Sequence, residues 1–296
     1  MAAGQACPRC GKPIRNAKGC VCGQETTTTP LHTSKNGRPA PAAKARWEWP
    51  LLDQAIERRF RQFTLPMALL IAWIFAHAGF ARTLMRTWLS MWIHELGHAV
   101  AAWLCGRFAF PGPWFTPVGQ ARSFLVMLVV AAAIGFAAYR LWPARKAWAV
   151  AVALLWPLQA ICSFSLSRHR ADAFIIWAGD GGCMLIGTLL LLSFYAHESS
   201  PLRKGWLRWG FVVIGAAAFA DTFATWWAAR TDRDIIPFGE IEGRGESDPT
   251  VLVFEHGFSI SGLVNSFLWT GVLCLGILVV AYLWGLRRQP PLPDEP

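Results

Sequence analysis

Charge is scarce in this chain. Only 16% of its 296 residues are Asp, Glu, Lys or Arg, while 54% are hydrophobic, and the mean hydropathy is +0.34. A soluble domain carries about a quarter charged residues, so a water-soluble globular protein is a poor reading. The first 46 residues are polar and rich in Cys, Pro and Thr, with no apolar core of a signal peptide. The net charge is +10, yet no basic motif is interleaved with aromatics, so no nucleic-acid partner is expected. Nor is there an internal repeat of the kind that gives membrane transporters their paired half-sites.

Long apolar runs are present instead. They cover 64–81, 84–105, 123–142, 147–165, 174–195, 207–229 and 258–285, each long enough, or nearly so, for a membrane helix. The 17 tryptophans suit a chain with two membrane–water interfaces. The expected fold is all-α: a polytopic bundle of about six to seven transmembrane helices with a small N-terminal zinc ribbon. Eleven Lys/Arg against four acids in residues 1–62 put the N-terminus in the cytoplasm by the positive-inside rule. Arg287 and Arg288 follow the last run, and the acid-rich loop 231–256 (Asp232, Asp234, Glu240, Glu242, Glu246, Asp248, Glu255) reads as external. Both ends inside requires an even number of spans. So either the short run 64–81, with His77 and Gly79, does not cross, or 123–142 and 147–165 are not two full spans.

The head divides by composition. Cys7, Cys10, Cys20 and Cys22 form a CxxC and a CxC knuckle, a spacing that completes a tetrahedral structural zinc site in residues 1–23. A cytoplasmic side disfavours disulfides. This resembles the zinc-ribbon heads of many bacterial membrane proteins. Residues 24–46 read as a flexible tether. Residues 47–62 carry Trp49, Leu52, Ile56 and Phe60 at helical spacing, which suits an interfacial amphipathic helix or one packed on the protein. The membrane domain is then 63–289, with a tail at 290–296. Cys105, Cys162, Cys183 and Cys274 lie far apart in apolar runs and read as small core residues.

One motif demands chemistry. His94-Glu95-Leu96-Gly97-His98 sits inside an apolar run, where ionisable groups each cost a few kcal/mol and mark function. On a helix, residues i and i+4 share a face, so His94 and His98 can present ring nitrogens to one metal ion. Glu95 can then act as general base on a metal-activated water. The competing structural reading is a polar cluster that ties helices together; Gly97 fits both, as a point of close helix approach. A catalytic zinc takes a third protein ligand. Asp180, flanked by Gly179, Gly181 and Gly182, is the leading candidate, its alternative role being a helix N-cap. Asp221 is the rival, and Asp172, His169 and His256 stand at segment edges.

HELGHAVAAWLCG, then FPGPWFTP, then GDGG together resemble the site-2 protease-like intramembrane zinc peptidases, peptidase family M50, over about 84–195. The resemblance implies His94, His98 and Asp180 as metal ligands and Glu95 as the base. It also implies one catalytic Zn2+, beside the structural Zn2+ expected on the four N-terminal cysteines, and a membrane-protein or peptide substrate cut in or near its membrane segment. The setting is a lipid bilayer, in a bacterial inner membrane. The stretch 108–118 becomes a re-entrant or interfacial loop near the substrate path. Two departures stand out. The Asn and Pro that often precede the family's DG are missing, leaving Arg168, His169 or Asn265 as replacements, and no PDZ-like domain is present. In the family the motif helix and the DG helix run parallel, and here the parity of the spans decides that. The alternative function is a non-catalytic membrane adaptor or sensor working through its zinc ribbon.

Overall fold

A computed structural model describes residues 50–143, 145–196, 200–203, 205–241 and 245–287. Cys7, Cys10, Cys20 and Cys22, the tether 24–46 and the tail 290–296 lie outside the described residues.

Helix α1 (Pro50–Ala76) is continuous. The expected division at 62/63 into an interfacial helix and a first span has no break in the backbone to mark it. Instead Glu57, near the helix start, pairs with Arg61, Arg203 and Arg208, which anchors this end to a distant part of the chain. After a short turn come α2 (Gly79–Met85), a π-helical turn at Arg86–Ser90 and α3 (Met91–Leu104). The two arms, 56–76 and 79–104, meet at 116°. Two apolar runs of the sequence thus form one bent unit.

Strands β1 (Arg107–Ala109) and β2 (Val118–Arg122) pair antiparallel as a hairpin. Then follow α4 (Phe124–Leu141), α5 (Lys146–Ala153) and α6 (Leu155–Ala160), the last running into a π-helical turn at Ile161–Ser165. Helix α4 keeps Leu128 and Phe136 more than half exposed, the surface expected of a helix bathed in lipid rather than water. Helix α7 (Arg168–Leu192) starts at a Ser167 N-cap, whose hydroxyl accepts from the Arg170 N–H at 3.3 Å. Helix α8 (Leu207–Ala228) follows, then the small β3 (Glu240–Ile241) and β4 (Gly245–Glu246) hairpin, α9 (Asp248–Thr250) with a π-helical turn to Glu255, and α10 (Ile260–Arg287).

Among the described residues, five helical stretches are long and apolar enough to cross a membrane, or up to six if the bent pair counts as one span. An even count places both described ends on one side. Tyr282 near the end of α10 and Tyr195 past the end of α7 donate to the carbonyls of Gln62 and Arg61 midway along α1.

The core lies between α3, α7, α8 and α10. Helices α3 and α7 cross at glycines. A Cβ on Gly97 would stand 2.1 Å from the Ala178 carbonyl oxygen, and one on Gly182 would stand 2.6 Å from the Gly97 Cα. Glycine inside a helix costs about 1 kcal/mol relative to alanine, and backbone-to-backbone packing offsets that here. Contacts run in opposite senses along the pair: Ser90 meets Cys183, His94 meets Asp180, His98 meets Ile175. The two helices are antiparallel. All four membrane cysteines are buried free thiols.

Candidate metal centre

The i, i+4 spacing puts both histidines on the α3 face that meets α7. Their rings stand nearly perpendicular, with centroids 4.7 Å apart. Each ring is fixed from behind. His98 Nδ1 lies 2.8 Å from the Ile175 carbonyl oxygen. A carbonyl only accepts, so Nδ1 carries the proton and Nε2 the lone pair. His94 Nδ1 lies 3.1 Å from Asp180 Oδ1, and a carboxylate imposes the same tautomer. The two Nε2 atoms therefore face each other with lone pairs, 3.1 Å apart.

A third acceptor joins them. Asp248 Oδ2 lies 3.0 Å from His94 Nε2 and 3.2 Å from His98 Nε2. That oxygen is buried and has no hydrogen bond of its own, because both nitrogens have spent their protons elsewhere. Three acceptor atoms at these separations can hold a metal ion in common. Ligands around a tetrahedral zinc with bonds of about 2.0–2.1 Å stand about 3.3 Å apart, close to the three distances here. Among the described residues, His94, His98 and Asp248 form the one group able to hold a metal ion in this way.

The expected third ligand, Asp180, stands elsewhere. Both its oxygens are engaged behind His94: Oδ1 with His94 Nδ1, Oδ2 accepting from Trp226 Nε1 at 2.7 Å. That is the position of a carboxylate that orients a metal-ligating histidine. The register of α7 against α3 sets this. Gly179, not Asp180, faces the paired rings: a Cβ there would lie 2.6 Å from His94 Cε1 and from His98 Cε1 and Nε2.

Asp248 comes from the loop between α8 and α10. Its short helix is tied down by polar contacts: Ser247 N–H donates to the Gly239 carbonyl, the Gly239 N–H donates to Thr250 Oγ1, and the two hydroxyls of Ser247 and Thr250 meet at 2.8 Å. Pro249 and Thr250 are buried. The sequence reading placed Asp248 among solvated acids; its one distinguishing sign is Ser-Asp-Pro-Thr set directly against the apolar Val251-Leu252-Val253.

The remaining candidates lie apart from His94, His98 and Asp248. Asp221 is buried on α8 with Arg82 at 3.5 Å. Asp172 pairs with Arg107. His169 and His256 contact each other, with ring centroids 4.4 Å apart, and line a separate cavity of about 470 Å³ with Arg170, Phe174, Trp177 and Phe258. Arg168 bonds Gln120, and Asn265 is exposed on α10.

Glu95 is 4% exposed. Its partner comes from the 107–122 hairpin: Thr116 Oγ1 lies 2.8 Å from Glu95 Oε2 and 2.9 Å from the Glu95 carbonyl oxygen. The loop at 108–118 is thus a hairpin whose tip folds back onto the motif helix.

No protein-family model, curated protein or solved structure matches this chain.

Proposed function

We propose that this protein is an intramembrane zinc-dependent endopeptidase. The observation that carries the reading is the convergence of three acceptor atoms on the half-buried His94, His98 and Asp248, with the buried Glu95 next to His94 in the motif helix. Zinc, when bound there, supplies a Lewis acid that polarises a carbonyl and acidifies a water. His94 and His98 would hold it through Nε2 and Asp248 through Oδ2, while Asp180 fixes the tautomer and angle of His94. Glu95 takes the proton of the attacking water and later returns it to the leaving amine. A substrate helix has its peptide groups tied up in i→i−4 hydrogen bonds, so it must unwind locally before a bond reaches Glu95.

The motif's likeness to peptidase family M50 supports this reading, as does the helical, apolar setting. The geometry departs from that family's ligand set in one respect: the DG aspartate, Asp180, backs His94, and the loop residue Asp248 takes the third position. A bacterial inner membrane with the N-terminus in the cytoplasm fits the basic head. A structural zinc on Cys7, Cys10, Cys20 and Cys22 completes the proposal.

The test is cleavage of a membrane-segment substrate by purified protein, with Glu95→Gln beside it. Loss of cleavage with retained zinc supports the peptidase. Undiminished cleavage by Glu95→Gln rejects it, and zinc confined to the four cysteines leaves the adaptor working through its ribbon.

A further inference from the structure

Thr116 stands out on the hairpin that reaches the site. Its neighbours at the tip, Trp114 and Phe115, are exposed, whereas Thr116 is 8% exposed and turned inward. The turn that carries it is stiff. Phe110 N–H donates to the Pro117 carbonyl at 3.3 Å and Gly112 N–H to the Phe115 carbonyl at 3.1 Å. A Cβ on Gly112 would strike that same carbonyl oxygen at 2.5 Å. The base of the hairpin is clamped as well, by the Arg107–Asp172 pair and by Trp103 Nε1 donating to the Ala109 carbonyl at 3.0 Å. The hydroxyl is therefore delivered to Glu95 by a rigid support.

What it does there follows from the donor count. A threonine has one hydroxyl proton, and the two acceptors within reach both belong to Glu95. A charged carboxylate is a stronger acceptor than a backbone carbonyl, so Glu95 Oε2 takes the larger share of that proton. Glu95 Oε1 has no hydrogen-bond partner among the described residues and is not among the sealed-off polar atoms. A carboxylate with two free oxygens can rotate about its terminal bond, because such sp3–sp2 torsions are broad. Fixing one oxygen fixes the direction in which the other receives a proton.

We propose that Thr116 is a positioning residue that pins Glu95 Oε2 and leaves Oε1 to take the proton from water. The proposal rests on the peptidase reading. It assigns the hairpin a role in the chemistry: the tip sets the general base, and a hairpin displaced from α3 leaves that base unaligned. A merely structural threonine would satisfy a buried carboxylate and nothing more. The two roles separate in kinetics, because alignment of a base is felt in kcat and not in substrate binding.

The experiment compares full-length Thr116→Val, Thr116→Ala, Thr116→Ser, Glu95→Gln and Thr116→Val/Glu95→Gln. It reads bound zinc, melting temperature, and kcat and KM on a membrane-segment substrate. Thr116→Val keeps the side-chain shape and removes the donor. The expected result is a kcat lower by about tenfold to a hundredfold, KM within about twofold and zinc unchanged. Thr116→Ser should recover most of the lost rate. Melting temperatures should be non-additive across the Val/Gln cycle, a readout of the contact that needs no catalysis. Wild-type kcat in Thr116→Val beside an inactive Glu95→Gln overturns the proposal and leaves the peptidase standing. Full cleavage by Glu95→Gln overturns both. If Thr116→Val melts early or loses zinc, Ser against Ala decides. Rescue by Ser alone supports positioning, and equal rates for Ser and Ala overturn it.

Discussion

Gly179 offers the sharpest perturbation of the proposed metal centre, since it is not one of the proposed ligands and carries no charge. A methyl group there would lie 2.6 Å from carbon or nitrogen atoms of both histidine rings. Favourable carbon contacts begin at about 3.5 Å, so Gly179→Ala forces the rings or α7 to move by about 1 Å. The rings have little freedom. His98 is held to the Ile175 carbonyl at 2.8 Å and His94 to Asp180 at 3.1 Å, so relief comes by breaking one of these or by parting α3 from α7. Either way the two Nε2 atoms lose their common focus. Disturbing the groups that orient ligands weakens metal binding by about 10–100-fold, and Gly179→Ala should reach the upper part of that range. The assay is chelator competition for zinc on protein carrying Cys7→Ser and Cys10→Ser, with thermal melting as a check of folding. Gly276→Ala on α10, where a Cβ meets nothing within 4 Å, is the control and should bind zinc normally. Wild-type zinc affinity in a well-folded Gly179→Ala protein would refute the geometry.

Further outcomes follow from the same contacts. Asp180→Asn should weaken zinc by about 10–100-fold through loss of His94 orientation, whereas Asp248→Ala, which removes a ligand, should weaken it more; the reverse order, by the same chelator competition, would return Asp180 to the third ligand position. Gly97→Ala should lower the melting temperature, at a cost of about 1–3 kcal/mol, because its Cβ would meet the Ala178 carbonyl at 2.1 Å. His256 is held below its ordinary value near 6.5 by burial and by His169, against the opposing charges of Asp172 and Glu255. A depressed histidine contributes stability that is full above about 6.5 and lost as pH falls through the folded value. Amide protection factors in 251–259, taken relative to the intrinsic exchange rate at each pH, should therefore fall on acidification below about 6.5, and His256→Phe should flatten that response.

How much of this was legible beforehand differs by residue. The motif was readable because its geometry is local: helical spacing alone puts His94 and His98 on one face. The close approach at Gly97 and Gly182 was likewise foreshadowed by small residues in apolar runs. Asp180 was placed near the centre by its glycines, but its side of His94 depends on the register between two helices that no local pattern encodes. Asp248 was hidden for a different reason. An acid in an acid-rich loop is ordinarily solvated, and only long-range packing brings this one against α3. The count of spans turned on the 116° bend after Ala76, where two apolar runs become one unit. The bend falls at a short turn rather than at a proline, since Pro66 sits inside α1 without ending it. The Pro-Gly-Pro turn of the 107–122 hairpin was visible as a loop, but the inward turn of Thr116 was not.

The most direct test of the account is the zinc stoichiometry and coordination of full-length protein with Cys7→Ser and Cys10→Ser, read by metal analysis and X-ray absorption. The account predicts one zinc per chain, with two imidazole nitrogens and carboxylate oxygen at about 2.0–2.1 Å, lost on Asp248→Ala. Absence of any zinc, or a zinc retained unchanged in Asp248→Ala, would contradict it.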